Sequence, residues 1–135
     1  MSAPTTEWVA KAEGDYRVMM VALKVIDPPE ADAVCFHAQQ CIEKYAKAFL
    51  NENGVEFPRT HNMEFLHKLC VSVDSEFAPF KIDFKRLDDY SVEIRYPGVD
   101  AAEEDAKDAV NITSRLRTFI RAKLRLDQPI TPEGN

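Results

Sequence analysis

Apolar positions along the chain recur every three or four residues, the period of an amphipathic helix, and nowhere alternate as a strand would. Trp8, Ala12, Tyr16, Met19, Leu23 and Ile26 carry this period through a first helix from about Thr6 to Ile26. Asp27-Pro28-Pro29-Glu30 then reads as a helix start: Asp at the N-cap, Pro at the first helical position and Glu three residues after the cap. The second helix runs to about Asn53, where Gly54 supplies a C-terminal stop. On its wheel, at about 100° per residue, Val34, Ala38, Ile42, Tyr45 and Phe49 form one core stripe.

A loop over Val55–His61 leads to a shorter third helix from about Asn62 to Val73, with Thr60 and Asn62 both able to cap it. Asp74 to Lys81 reads as a turn or a single helical turn, and a fourth helix covers about Phe84 to Glu93 before Tyr96-Pro97-Gly98 ends it. Asp100-Ala101-Ala102-Glu103 is a second capping box, opening a fifth helix that reaches about Leu126. Its acids Glu103, Glu104 and Asp105 and its bases Arg117, Arg121, Lys123 and Arg125 sit at the ends that complement the helix dipole. The eight prolines all fall between these helices or in the termini. The expectation is all-α: an up-and-down bundle of four to five antiparallel helices over residues 1–126, with 127–135 a loose tail.

Composition narrows the function classes. A chain of 135 residues holds one domain, and 45% hydrophobic with 30% charged residues is ordinary globular protein. No apolar run approaches the ~20 residues that span a bilayer, and the first residues lack the basic-then-apolar order of a secretory signal. A cytoplasmic protein without a membrane anchor is expected. A net charge of −6 speaks against general DNA binding, which needs clustered Lys and Arg. Cys35, Cys41 and Cys70 lie in apolar-periodic segments with no zinc spacing, and the glycines form no phosphate loop. Neither metal nor cofactor is expected.

Candidate chemistry gathers beside the core stripe of the second helix. His37, Gln40, Lys44 and Lys47 fall within about a quarter-turn of one another, offering an imidazole, an amide and two ammonium groups. Such a set suits a phosphate with a base or ribose, and it equally suits a solvated face. Gln39, Glu43 and the outward Phe36 read as surface, Phe36 as a possible partner contact. Arg59 and His61 precede a helix start, where backbone N–H groups favour an anion. The alternative has His61 capping the helix and Arg59 pairing with a carboxylate.

The run Phe36-His37-Ala38-Gln39-Gln40-x-Ile42-Glu43-Lys44-x-x-Lys47-Ala48 resembles the second-helix signature of HEPN domains (higher eukaryotes and prokaryotes nucleotide-binding). Pro58-Arg59-Thr60-His61 with Leu66 and Leu69, and Arg95-Tyr96-Pro97 before the last helix, match in the same order. The resemblance spans residues 8 to 122, with Trp8 and Asp15 as weaker matches. It implies a helical bundle paired as a homodimer, binding a nucleotide or RNA through His37, Gln40, Lys44, Lys47, Arg59, His61, Arg95 and Tyr96. It also implies a nucleotidyltransferase-type protein partner in a toxin–antitoxin or regulatory pair. Ribonucleases of the family carry Arg, four to six residues, then His; here Arg95 is followed by Tyr96 to Ala102 without a histidine. A ribonuclease using Arg95 would need a base from elsewhere, among His37, His61 and His67. A purely structural dimerising bundle is the third alternative.

Overall fold

A computed structural model describes residues 1–93, 97, 98 and 100–127. Five α-helices and one 3-10 helix make up its regular structure, and the described residues contain no strand. The helices are α1 (Ala3–Lys24), α2 (Ala31–Glu52), α3 (Met63–Val73), α4 (Lys81–Glu93) and α5 (Glu103–Lys123), with the 3-10 helix at Ser75–Phe80 between α3 and α4.

Residue pairings fix the directions. Ser2 and Thr5 meet Asn51, Asp15 meets Lys44, and the Glu30 amide donates to the Ala22 carbonyl, so α1 and α2 are antiparallel. Glu13 meets Arg117 and Tyr16 meets Ser114, which sets α5 antiparallel to α1. Asp83 with Arg115 and Tyr90 with Asp108 do the same for α4 and α5. The long helices α1, α2, α4 and α5 therefore alternate up and down in chain order. Lys123, at the end of α5, bonds Asp74 and Glu76, so the 3-10 helix closes the end of the bundle where α5 finishes.

The centre of this bundle is α2, which touches every other helix. The predicted stripe is buried, but so are Cys35, Cys41, Ala46, Ala48, Leu50 and three polar neighbours, Gln39, Glu43 and Lys47. A helix surrounded on most of its circumference has no broad solvated face, so Gln39 and Glu43 are interior residues rather than plain surface. Around α2, Phe49, Phe77, Phe119 and Phe80 pack ring on ring with centroids 4.7 to 4.9 Å apart. In α1, Ala12 and Met19 are in the core and Trp8, Tyr16 and Leu23 pack against it, whereas Ile26 is exposed.

The ends differ from the reading in instructive ways. Helix α1 starts earlier, because the Ser2 hydroxyl accepts from the Thr5 amide and Pro4 follows in the first turn. Asp27 does not cap α2: the helix begins after Glu30. Asp32 in the first turn instead accepts the Ala101 amide at 2.7 Å, tying the approach to α5 onto α2. Asn62, not Thr60, caps α3, accepting from the Phe65 amide at 3.0 Å, while Thr60 accepts from the Asn62 amide. The box at α5 is shifted by two residues: Ala102 is the N-cap and Asp105 reaches back to its amide. Gly54 closes α2 at φ 71°, a left-handed conformation in which a side chain is strained.

Candidate functional site

The flank predicted on α2 is split by two carboxylates. On the α1 side, Asp15 is nearly buried and takes both His37, Nδ1 to Oδ1 at 2.8 Å, and Lys44, Nζ to Oδ2 at 2.5 Å. A carboxylate with one partner on each oxygen is satisfied, so these two side chains are committed to the α1–α2 seam. On the other side stands Glu43, 2% exposed. It accepts from Lys47 Nζ at 3.1 Å and from Gln39 Nε2 at 3.0 Å, and His61 Nδ1 lies 3.0 Å from each of its oxygens. Gln40 extends the chain, its Nε2 donating to Gln39 Oε1 at 2.7 Å.

This second cluster backs onto a recess. Trp8 of α1, Lys47 of α2 and the loop residues Phe57 to His61 enclose a cavity of about 380 Å³. That volume lies in the ~300–1,000 Å³ range of small-molecule sites. Trp8 and Phe57 form its apolar side, with ring centroids 6.3 Å apart and planes tilted by 56°. The Lys47 ammonium sits 5.3 Å from the Trp8 ring centre, a cation–π contact that steadies both. Arg59 is exposed at the mouth, and no described carboxylate pairs with it. His61 presents a side chain that is 75% exposed, although its Nδ1 is anchored on Glu43. A neutral His61 donates its Nδ1 proton to that carboxylate and keeps Nε2 as an acceptor; a protonated one offers Nε2–H as a donor.

The loop holds these groups for local reasons. Pro58 excludes helix before it, and the Asn62 cap with Thr60 behind it fixes where α3 begins. His61 therefore does not cap α3, and Arg59 has no ion pair among the described residues. Of the sequence candidates, Lys47, Arg59 and His61 line the recess, Gln40 joins its hydrogen-bond chain, and His37 and Lys44 stand at Asp15. Arg95 and Tyr96 lie outside the described residues. Sequence reasoning missed Glu43, although Gln39, Glu43 and Lys47 stand at i, i+4 and i+8, the spacing of a ladder along one helix face. Among the described residues no three metal-ligating side chains cluster.

A third polar cluster binds the bundle together on the far side of α2. Arg117 donates two bonds of 2.7 Å to Glu13, Tyr45 donates to the same carboxylate, and Arg121 donates to Tyr45 Oη at 3.0 Å. The Arg117 guanidinium, before all other influences, holds the Glu13 carboxyl below its usual value. The bases of α5 thus do more than complement its dipole: Arg117 and Arg121 clamp α1 and α2, and Arg121 also pairs with Asp127. The thiols are inert by environment. All three cysteines are free and buried, and burial raises Cys41 strongly and pushes Cys70 up to about 12.

No helix among the described residues is long and apolar enough to cross a membrane. In comparisons with known proteins, no solved structure matches significantly. The chain is similar to "Putative toxin MJ1304" of Methanocaldococcus jannaschii, with 28% identity over 141 residues covering 90% of this chain and 91% of that protein. The HEPN domain model matches residues 5–123, taking in the α1–α2 seam, the recess and all five helices but the first two residues of α1. The chain belongs to the HEPN domain family.

Proposed function

We propose that the chain is a nucleotide- or RNA-binding HEPN module whose ligand occupies the recess between Trp8, Lys47, Arg59 and His61. In this reading it acts in the cytoplasm, in a toxin–antitoxin or regulatory pair with a nucleotidyltransferase-type protein, and pairs as a homodimer. The observation that carries the proposal is the recess itself: aromatic rings on one side, and Arg59 at the mouth without a described carboxylate partner. Rings suit a base, and a guanidinium fork suits phosphate oxygens. Phosphate would meet Arg59 and His61, while Lys47, already on Glu43, adds local positive potential in a chain that is acidic overall. The similarity to a protein named a toxin supports the paired-system part of the reading.

Trp8 is the chain's single tryptophan, so its fluorescence reports directly on the recess. Titration with AMP, ATP and a short single-stranded RNA is expected to change that emission saturably. Arg59→Ala, an exposed substitution, is expected to weaken binding roughly tenfold, the size of a charge-assisted contact. An unaltered Trp8 signal, with no heat of binding by calorimetry, would sink the proposal.

The Glu43–His61 pair favours one second reading, a metal-independent ribonuclease. His61, held by Glu43 with Nε2 outward, would take the part of the base that does not follow Arg95, and Arg59 or Arg95 would stabilise charge on the phosphate. Pure protein should then cut RNA in excess EDTA, and His61→Ala and Arg95→Ala should each abolish cutting. Intact RNA with the native protein excludes it.

A further inference from the structure

Between α3 and α4 lies a groove that the nucleotide reading does not use. We propose that this groove docks a short acidic–aliphatic peptide segment of a protein partner. Two contiguous hollows of about 230 and 270 Å³ make up the groove, sharing Glu64, His67 and Lys81. Each is smaller than the ~300–1,000 Å³ of sites that engulf a small molecule. Two small hollows in a row fit successive side chains of a peptide better than one compact ligand.

The floor is rigid. His67 is 4% exposed, its Nε2 donates to the Phe77 carbonyl at 2.9 Å, and its ring packs on Phe84 at 5.0 Å between centres. With Nε2 carrying the proton, Nδ1 of a neutral His67 is an acceptor, a group that a peptide N–H complements. Val71 and Ala78 make the walls apolar at one end. At the other end Ile82 is 65% exposed, a large aliphatic side chain left in water beside the hollow. These surfaces ask for leucine-like side chains.

The rim asks for carboxylates. Lys68, Lys81 and Lys85 stand around the two hollows against one lining carboxylate, Glu64, so the lining is net positive in a chain whose net charge is −6. Among the described residues Lys68 and Lys85 make only exposed i,i+4 pairs, with Glu64 at 3.9 Å and Asp89 at 3.1 Å, which a stronger partner displaces readily. Lys81 has no ion pair among the described residues. Apolar hollows ringed by lysines select acidic residues interspersed with aliphatic ones, and the acidic remainder of the surface disfavours the same peptide elsewhere.

The test is fluorescence anisotropy with a labelled hexapeptide of alternating leucine and glutamate, titrated with the full chain. Saturable binding that weakens with salt is expected, reduced about tenfold by Lys81→Glu and comparably by Ile82→Ser, both at exposed positions. Replacing the peptide's leucines by alanine, or its glutamates by lysine, should abolish binding. No binding by the native chain, or equal binding of the alanine peptide, overturns the proposal. So does a short RNA that takes the groove instead, its binding lost in Lys81→Glu and kept in Ile82→Ser. Because neither substitution touches the Trp8 recess, failure here leaves the nucleotide reading standing and is distinguishable from its failure.

Discussion

Glu13 and Glu43 show how differently two carboxylates on neighbouring helices contribute. Glu13 is a clamp: it gathers Arg117 and Tyr45 and is held in its charged form chiefly by Arg117. A carboxyl depressed in the folded state stabilises the fold above its unfolded value, and the contribution is lost as pH falls through the folded value. Glu13→Gln is therefore expected to lower stability at neutral pH by about 1–2 kcal/mol, the loss of charge-assisted bonds. The gap from the native chain should narrow in acid, where native Glu13 is protonated too; urea melts across pH check this. Glu43 instead is buried together with Lys47 and is costly to disturb on its own. Removing Lys47 leaves the Glu43 carboxylate to Gln39 and His61 without its buried counter-charge, a loss of about 1–3 kcal/mol. Lys47→Ala should fall in that range by urea denaturation, whereas the double change Lys47→Met with Glu43→Leu should recover much of it. The legible part of this site was residue type: Lys47, Arg59 and His61 stood out as anion-binding groups in a helix flank and a pre-helix loop. The partners were not legible, because Asp15 and Glu43 acquire meaning only when α1 and the loop are laid against α2.

At the scale of the element, periodicity was a good guide to helix existence and a poorer one to helix ends. All five helices were readable from the sequence, yet four starts were misplaced, that of α4 because Lys81 continues directly from the 3-10 helix and the other three through their caps. Helix α2 begins after Glu30 rather than at an Asp27 cap, Ser2 starts α1 at Ala3, and Asp105 rather than Glu103 closes the α5 box. Each was a choice between adjacent capping groups that only tertiary contacts decide. Asn62 is the cap whose effect reaches function, because it sets where α3 begins and thus where Arg59 and His61 stand. Asn62→Ala is expected to cost about 1 kcal/mol of stability, typical of a lost N-cap. If the recess binds as proposed, the same variant should also weaken the Trp8 fluorescence response, although residue 62 does not line the cavity. Asn62→Asp, which keeps an acceptor at the cap, should restore both.

The whole molecule poses a question that no helix answers alone. The core is built around α2, yet α1 and its C-cap leave Val18, Val21 and Val25 exposed at i, i+3 and i+7, with Val25 at 72%. Ile26 and Phe36, the latter on α2 near the same end of α1, are exposed as well. In the proposed homodimer this apolar stripe would be the surface for pairing, and its burial in a two-fold contact would contribute roughly 25 cal/mol per Å² removed from water. Val21→Glu places a charge in the middle of the stripe and should convert a dimer to a monomer in sedimentation equilibrium, without unfolding the bundle. Geometry says what should remain unchanged. From Trp8 to Val21 is thirteen residues along α1, about 20 Å at 1.5 Å per residue, and the valines lie on a different side of the helix from Trp8. A dimer joined by the valines thus leaves the recess open, and the monomeric variant should keep the native Trp8 response to nucleotide. Loss of that response together with the dimer would mean instead that the second copy completes the site, and the recess of one chain would then be only half of it.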